Sequence, residues 1–243
     1  KLANGAETVP VGTYGASGVC VYAMHGSVWG WGEDCGHESV QGASVEGSAW
    51  ATGDDCRYHV LRGGSWNDYP RGLRAAKRVR ISTGNRVNGL GFRIARDFVL
   101  GQLAERSNQP KSSPPRQVAA IIPPKVATPK SAKPAVGVYP KRYRPGDTFK
   151  DCDECPEMVV IPPGQFRMGD LSGEGGDVEK PAHDVQINYR FAVGKFEITK
   201  TQWRSVMWGS PSGLQRDSRP IDDLSWDHAK AFVGALSKKT GKN

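Results

Sequence analysis

No apolar run of membrane-spanning length, about 20 residues for a helix, occurs in this 243-residue chain. Cysteine is sparse, with only Cys20, Cys35, Cys56, Cys152 and Cys155. The five histidines, His25, His37, His59, His183 and His228, lack the spacing of a metal triad on one element. Acids are nearly missing from Val99–Asp147, which holds nine Lys or Arg against two acids, together with nine of the 17 prolines. The rest of the chain carries 24 basic and 23 acidic residues, so the net charge of +8 belongs almost wholly to this stretch. Basicity therefore says little about the folded parts. Segments such as Ile122-Pro-Pro-Lys125 and Ala132-Lys-Pro134 cannot bury enough apolar surface to offset ordering entropy, and proline stiffens them toward polyproline geometry. The stretch reads as a semi-rigid spacer. A tether for an anionic surface would be expected to interleave aromatics, and none occurs before Tyr139 and Tyr143, so no specific nucleic-acid partner is expected.

The flanking regions carry mixed local signals. Met158–Ile161, Phe166–Met168, His183–Ile187 and Phe191–Phe196 read as strands bounded by Gly, Pro and acidic turns. Thr199 or Lys200 opens a helix through Met207, and Ser225 caps a helix Trp226–Lys239 that ends at Gly241. The fold class is α+β. Arg62-Gly-Gly-Ser-Trp66 places paired glycines beside a strand, where they permit a bulge or a close backbone approach. Gly89-Leu-Gly-Phe-Arg93 follows.

These two motifs resemble the strongest signature of the formylglycine-generating enzyme family, also called the sulfatase-modifying factor family. The resemblance extends through Thr8-Val-Pro-Val-Gly12, Tyr22–Trp31, Pro156–Gly164, Phe166-Arg-Met-Gly169, Glu179-Lys-Pro-Ala-His183, Phe191–Thr199 and Leu224-Ser-Trp226. It implies a C-type-lectin-like fold, but in an unusual order. Residues 1–98 resemble the C-terminal half of one family domain, 99–147 form the linker, and 148–243 resemble the N-terminal half of a second copy. The family's middle helix is missing. Two accounts fit: an excerpt of a tandem-domain protein, or one permuted domain whose halves pair across the linker. The first is the expectation, and it leaves each half with exposed apolar faces.

The resemblance also implies an oxygen-dependent oxidoreductase with copper held by two cysteine thiolates shortly after the Gly-Gly-Ser-aromatic element. Here Asn67–Arg78 contains no cysteine. It implies calcium near a Gly-Asn-Val-Trp-Glu-Trp stretch, yet this chain reads Gly26-Ser-Val-Trp-Gly-Trp31, with Ser27 and Gly30 at the side-chain ligand positions. No catalytic residue, copper or calcium is therefore expected in this part of the protein. The expectation is a binding or scaffolding module presenting Trp66, Asn67, Asp68, Tyr69, Arg74 and Arg78 to a protein or small anionic ligand. The alternative is an enzyme whose catalysis lies outside the chain. Asn67 and Asp68 otherwise cap a turn. The arginines between Arg62 and Arg96 either build an anion-binding face or pair with Glu33, Asp34, Glu38, Asp54 and Asp55. Cys35 and Cys56 bracket a Gly/Ser-rich loop, while Cys152-Asp-Glu-Cys155 is a short disulfide, half a zinc site or a redox pair. Two structural disulfides plus an odd Cys20 is the favoured reading, and it suits an exported or periplasmic protein.

Overall fold

The computed structural model describes residues 8–51, 56–98, 143–207, 209 and 218–242. Most of the linker, Asp54 and Asp55 lie outside the described residues. The first segment supplies strands β1 (Trp29–Cys35), β2 (Tyr58–Arg62), β3 (Val79–Ser82), β4 (Leu90–Gly91) and β5 (Ala95–Asp97). The second supplies β6 (Thr148–Phe149), β7 (Met158–Ile161), β8 (Gly164–Met168), β9 (His183–Ile187), β10 (Phe191–Gly194) and helices α1 (Lys200–Val206) and α2 (Trp226–Thr240).

Both helices begin where side chains can satisfy free backbone donors. Thr199 and Ser225 each close a capping box, with Gln202 and His228 as the reciprocal partners. Gly241, in the left-handed region at φ 65°, ends α2 after a basic last turn. The strand Phe191–Gly194 stops two residues earlier than the sequence predicts, although the Lys195 amide still donates to Glu157 O in the same register.

Among the described residues three sheets form, in the orders β3-β2-β1-β4, β5-β10-β7-β6 and β8-β9. The middle sheet joins the two segments, since β5 pairs antiparallel with β10 in the register Val193 to Ala95 and Ala192 to Arg96. One core does the same. Trp31, Leu61, Leu90 and Phe92 of the first segment pack with Ile198, Trp203, Ile221, Leu224 and Phe232 of the second. Backbone bonds cross as well, from Ile198 N to Phe92 O and from Trp226 N to Thr83 O. The indole NH of Trp31 donates to Leu224 O, and that of Trp226 donates to Gly32 O. The apolar faces expected to stay open in each half cover one another.

Cys35–Cys56 and Cys152–Cys155 are disulfide-bonded, and Cys20 is free and exposed. The paired glycines meet the physical expectation for them. Gly63 (φ 94°) and Gly64 (φ 70°) are both left-handed, and a Cβ would stand 2.8 Å from Met24 O in the first case and 2.9 Å from Gly72 O in the second. Gly64→Ala is expected to destabilise the protein by about 2 kcal/mol, combining backbone strain with a backbone clash. Denaturant titration of the variant checks this, and an unchanged midpoint would contradict it.

His59, on β2, is almost fully buried and stacks on Trp226 of α2, with ring centroids 4.0 Å apart. Burial lowers its pKa below the ordinary 6.5, against the opposing pull of the Glu33 charge and the backbone at Gly32, Glu33 and Asp34. The folded state thus prefers the neutral ring. Its contribution to stability is fully present above pH 6.5 and is lost as the pH falls from there toward the folded value. Between pH 7.5 and 5.5 the wild type should lose more stability than His59→Phe, which keeps the stack without the titration. Parallel losses in urea titrations at the two pH values would contradict this.

Candidate functional site

A cleft of about 530 Å³ opens between the turn that follows Trp66 and the loop before β9, lined by Trp29, Asp68, Tyr69, Arg71, Arg74, Lys77, Glu174 and Glu179 among others. Its first wall is built from Arg62-Gly-Gly-Ser-Trp66 onward. The left-handed glycines turn the chain out of β2, and the turn is then locked from within. Asp68 Oδ2 accepts from both the amide and the hydroxyl of Ser65 at 2.7 Å, and Asn67 Oδ1 lies 2.7 Å from the same hydroxyl. Both side chains hold the turn. A short 3₁₀ helix, Pro70–Leu73, follows with proline at its start, where no amide donor is needed. It leaves Tyr69 78% exposed at the cleft edge.

The second wall is held by a buried carboxylate. Glu179 is fully inaccessible and receives Arg74 Nη2 at 2.7 and 3.0 Å on its two oxygens, with Lys77 Nζ at 3.6 Å. Arg74 also reaches Asp170 at 3.4 Å. Hydrogen bonds from Ser172 and the Gly175 amide keep the Asp170 carboxyl below its usual pKa. Arg74 therefore links the two segments through charge-assisted, two-pronged bonding.

Of the residues singled out in the sequence, Asp68, Tyr69 and Arg74 line the cleft. Asn67 is exposed beside it. Trp66 is half-buried, its indole NH shielded from solvent and without a hydrogen-bond partner, so it packs beneath the turn more than it faces outward. Arg78 is 4% exposed and donates to Val178 O at 2.8 Å and Ser39 O at 3.3 Å, which turns it into the protein. Arg62, also largely buried, donates to Ala76 O, and burial together with the like charge of Arg78 pushes its pKa down to about 10.

The arginine cluster finds carboxylates, but mostly not those the sequence suggests. Arg80 pairs with Glu38 as expected. Arg74 pairs with Asp170 and Glu179, Arg86 with Asp223, Arg93 with Glu197 and Arg96 with Asp151, all in the second segment. Glu33 instead pairs with Lys230. Contacts at this sequence separation leave no local trace in the chain. Trp29, Arg71, Lys77, Glu174 and Glu179 are among the cleft residues that sequence reasoning missed, although Glu179 opens one of the motifs it recognised.

The donor set does not fit copper, because the turn after Trp66 offers oxygen groups already engaged by Ser65 and four of the five cysteines are in disulfides. Nor do residues 26–31 fit calcium. Ser27 is buried and offers at most one neutral hydroxyl, and Gly30 has no side chain. Glu197 is itself almost fully buried, which raises its pKa, while Arg93 at 3.6 Å opposes the shift.

A domain of mixed sheets with two helices, folded around a Gly-Gly-Ser-Trp turn, is the class of protein defined here. Residues 2–98 and 145–240 match the family described as "Sulfatase-modifying factor enzyme 1-like domain", and the chain belongs to that family. It is 39% identical over 49 residues to a protein of Paenibacillus barcinonensis described as "Chaperone protein LppX", a match that covers 20% of this chain and 18% of the relative. The structure of PvdO from Pseudomonas aeruginosa is 29% identical, with a TM-score of 0.31 over 41% of this chain and 46% of that one. The chain thus spans less than half the length of each relative. No helix among the described residues is long and apolar enough to cross a membrane, and two disulfides suit an oxidising environment.

Proposed function

We propose that this chain is a non-catalytic member of the sulfatase-modifying factor family that binds an acidic polypeptide segment in the cleft between its two segments. The observation that carries this reading is the turn after Trp66. Where the family resemblance implies a thiolate pair, Asn67 and Asp68 close on Ser65 and leave Tyr69 and Arg71 as the accessible groups. Tyrosine and arginine are the side chains most enriched at the energetic centres of protein interfaces. Arg74 and Lys77 are neutralised by Glu179, whereas Arg71 has no carboxylate partner among the described residues, so it is the cation available to a ligand carboxylate. The C-type-lectin-like fold, with the two segments as a C-terminal and an N-terminal half of the family domain, supplies the frame. An exported or periplasmic setting agrees with the disulfides.

The rival reading, formylglycine-type oxidation, is separated by one pair of measurements. Incubated with a sulfatase-type cysteine peptide, copper and oxygen, the protein should leave the cysteine unchanged by mass spectrometry. A fluorescent tetraglutamate peptide should bind, and Tyr69→Ala with Arg71→Ala should weaken binding roughly tenfold, equivalent to about 1.4 kcal/mol. Turnover of the cysteine peptide, or tetraglutamate binding indifferent to both substitutions, would overturn the reading.

A further inference from the structure

The charged side chains that line the cleft balance one another, with Arg71, Arg74 and Lys77 against Asp68, Glu174 and Glu179. A trap for a uniformly anionic chain would carry an excess of cations. Most of these charges are already engaged. Glu179 takes Arg74 and Lys77, Arg74 reaches Asp170 as well, and Asp68 accepts from Ser65. Arg71 and Glu174 remain. Both are exposed, they stand on opposite walls, and neither has an ion-pair partner among the described residues.

The loop that carries Glu174 is held in shape from below. The buried Asp170 carboxylate accepts from the Ser172 hydroxyl at 2.7 Å, the Ser172 amide at 3.2 Å and the Gly175 amide at 2.8 Å, and Ser172 Oγ in turn accepts from the Glu174 amide at 3.3 Å. At Gly175 the chain passes so close over Glu179 that a Cβ would stand 2.5 Å from its Oε2. Only a glycine lets the loop lie against this wall. Glu174 thus reaches the cleft edge on a backbone that is ordered by folding, which leaves less to be ordered on binding.

Resting on the assignment of this cleft as the binding site, we propose that its ligand is dipolar: a polypeptide segment in which an acidic residue, met by Arg71, stands two residues from a lysine or arginine, met by Glu174. Side chains two apart in an extended chain point to the same face about 7 Å from one another, which suits opposite walls of a cleft of about 530 Å³. Glu174 is the specificity-determining residue. It attracts a basic side chain and repels a second acid placed at the same position.

Fluorescence anisotropy with the full-length protein and three labelled peptides, tetraglutamate, Gly-Glu-Gly-Lys-Gly and Gly-Glu-Gly-Gln-Gly, the last two with blocked ends, provides the test. At low salt the lysine peptide should bind roughly threefold tighter than the glutamine peptide, the size of one solvent-facing ion pair. That preference should vanish in Glu174→Gln, and tetraglutamate should bind this variant more tightly than the wild type. If the lysine peptide gains nothing, if its gain survives Glu174→Gln, or if tetraglutamate binds the variant no better, the dipolar ligand is wrong, while tetraglutamate binding that depends on Arg71 would still uphold the cleft as an acidic-peptide site. If no peptide binds, or Arg71→Ala leaves all three unaffected, the cleft assignment fails and the proposal falls with it.

Discussion

Phe232→Ala is expected to destabilise the protein by about 3–5 kcal/mol, the usual cost of emptying a buried aromatic site. Phe232 on α2 is completely inaccessible, stacks on Trp203 at 5.4 Å and meets Phe92 of the first segment edge-on at 5.4 Å. The core it occupies is close-packed from two directions, so little collapse can refill the space. For a body of this size the melting temperature should fall by roughly 10 °C. The loss should be felt on both sides of the linker. Calorimetry, with tryptophan fluorescence as a second probe, should give one transition shifted as a whole. A drop under about 1 kcal/mol, or two separate transitions, would mean that α2 does not hold the first segment in place.

Glu179→Ala is the second large effect, about 3 kcal/mol. Removing this carboxylate leaves Arg74 with only its longer Asp170 contact at 3.4 Å and takes away the partner of Lys77, and breaking a buried pair by deleting one partner typically costs about 3–5 kcal/mol. The lower end applies because the Arg74 and Lys77 side chains keep 25% and 32% exposure and can partly turn to water. Lys77→Met should cost much less, since the Arg74 contact remains. Urea titrations rank the two variants, and equal, small losses would show that the ion pairs on this wall of the cleft are incidental. The same Glu179→Ala protein should bind tetraglutamate at least as well as the wild type, because it leaves the Arg74 guanidinium held by Asp170 alone.

What the sequence made legible was local. Met158–Ile161 and His183–Ile187 carry short apolar or alternating runs between turn residues, and they form strands with those limits. Ser225, the apolar spacing behind it and Gly241 bracket α2 because capping and left-handed termination depend on neighbouring residues alone. The first segment was harder to read. Strand β1 is Trp-Gly-Trp-Gly-Glu-Asp-Cys, without clean alternation, and its register shifts between Trp31 and Cys35, so its strand character comes from β2 and β4 beside it. The candidate site divides in the same way. The turn after Trp66 was readable as an Asn/Asp-capped turn, whereas the opposite wall depends on Glu179 approaching Arg74 from 105 residues away. The motif that contains Glu179 marks its importance to the fold without saying what the carboxylate touches. Likewise, the stack of His59 on Trp226 joins two residues that no pattern in the chain connects.

Cutting the linker bears most directly on the shared core. Brief trypsin treatment should cleave at the lysines and arginines among residues 99–142 and leave two fragments that co-elute from a sizing column as one compact species. That species should melt in a single cooperative transition with Trp31 and Trp203 reporting the same midpoint. Fragments that separate on the column, or that melt independently, would contradict a core built jointly by the two segments.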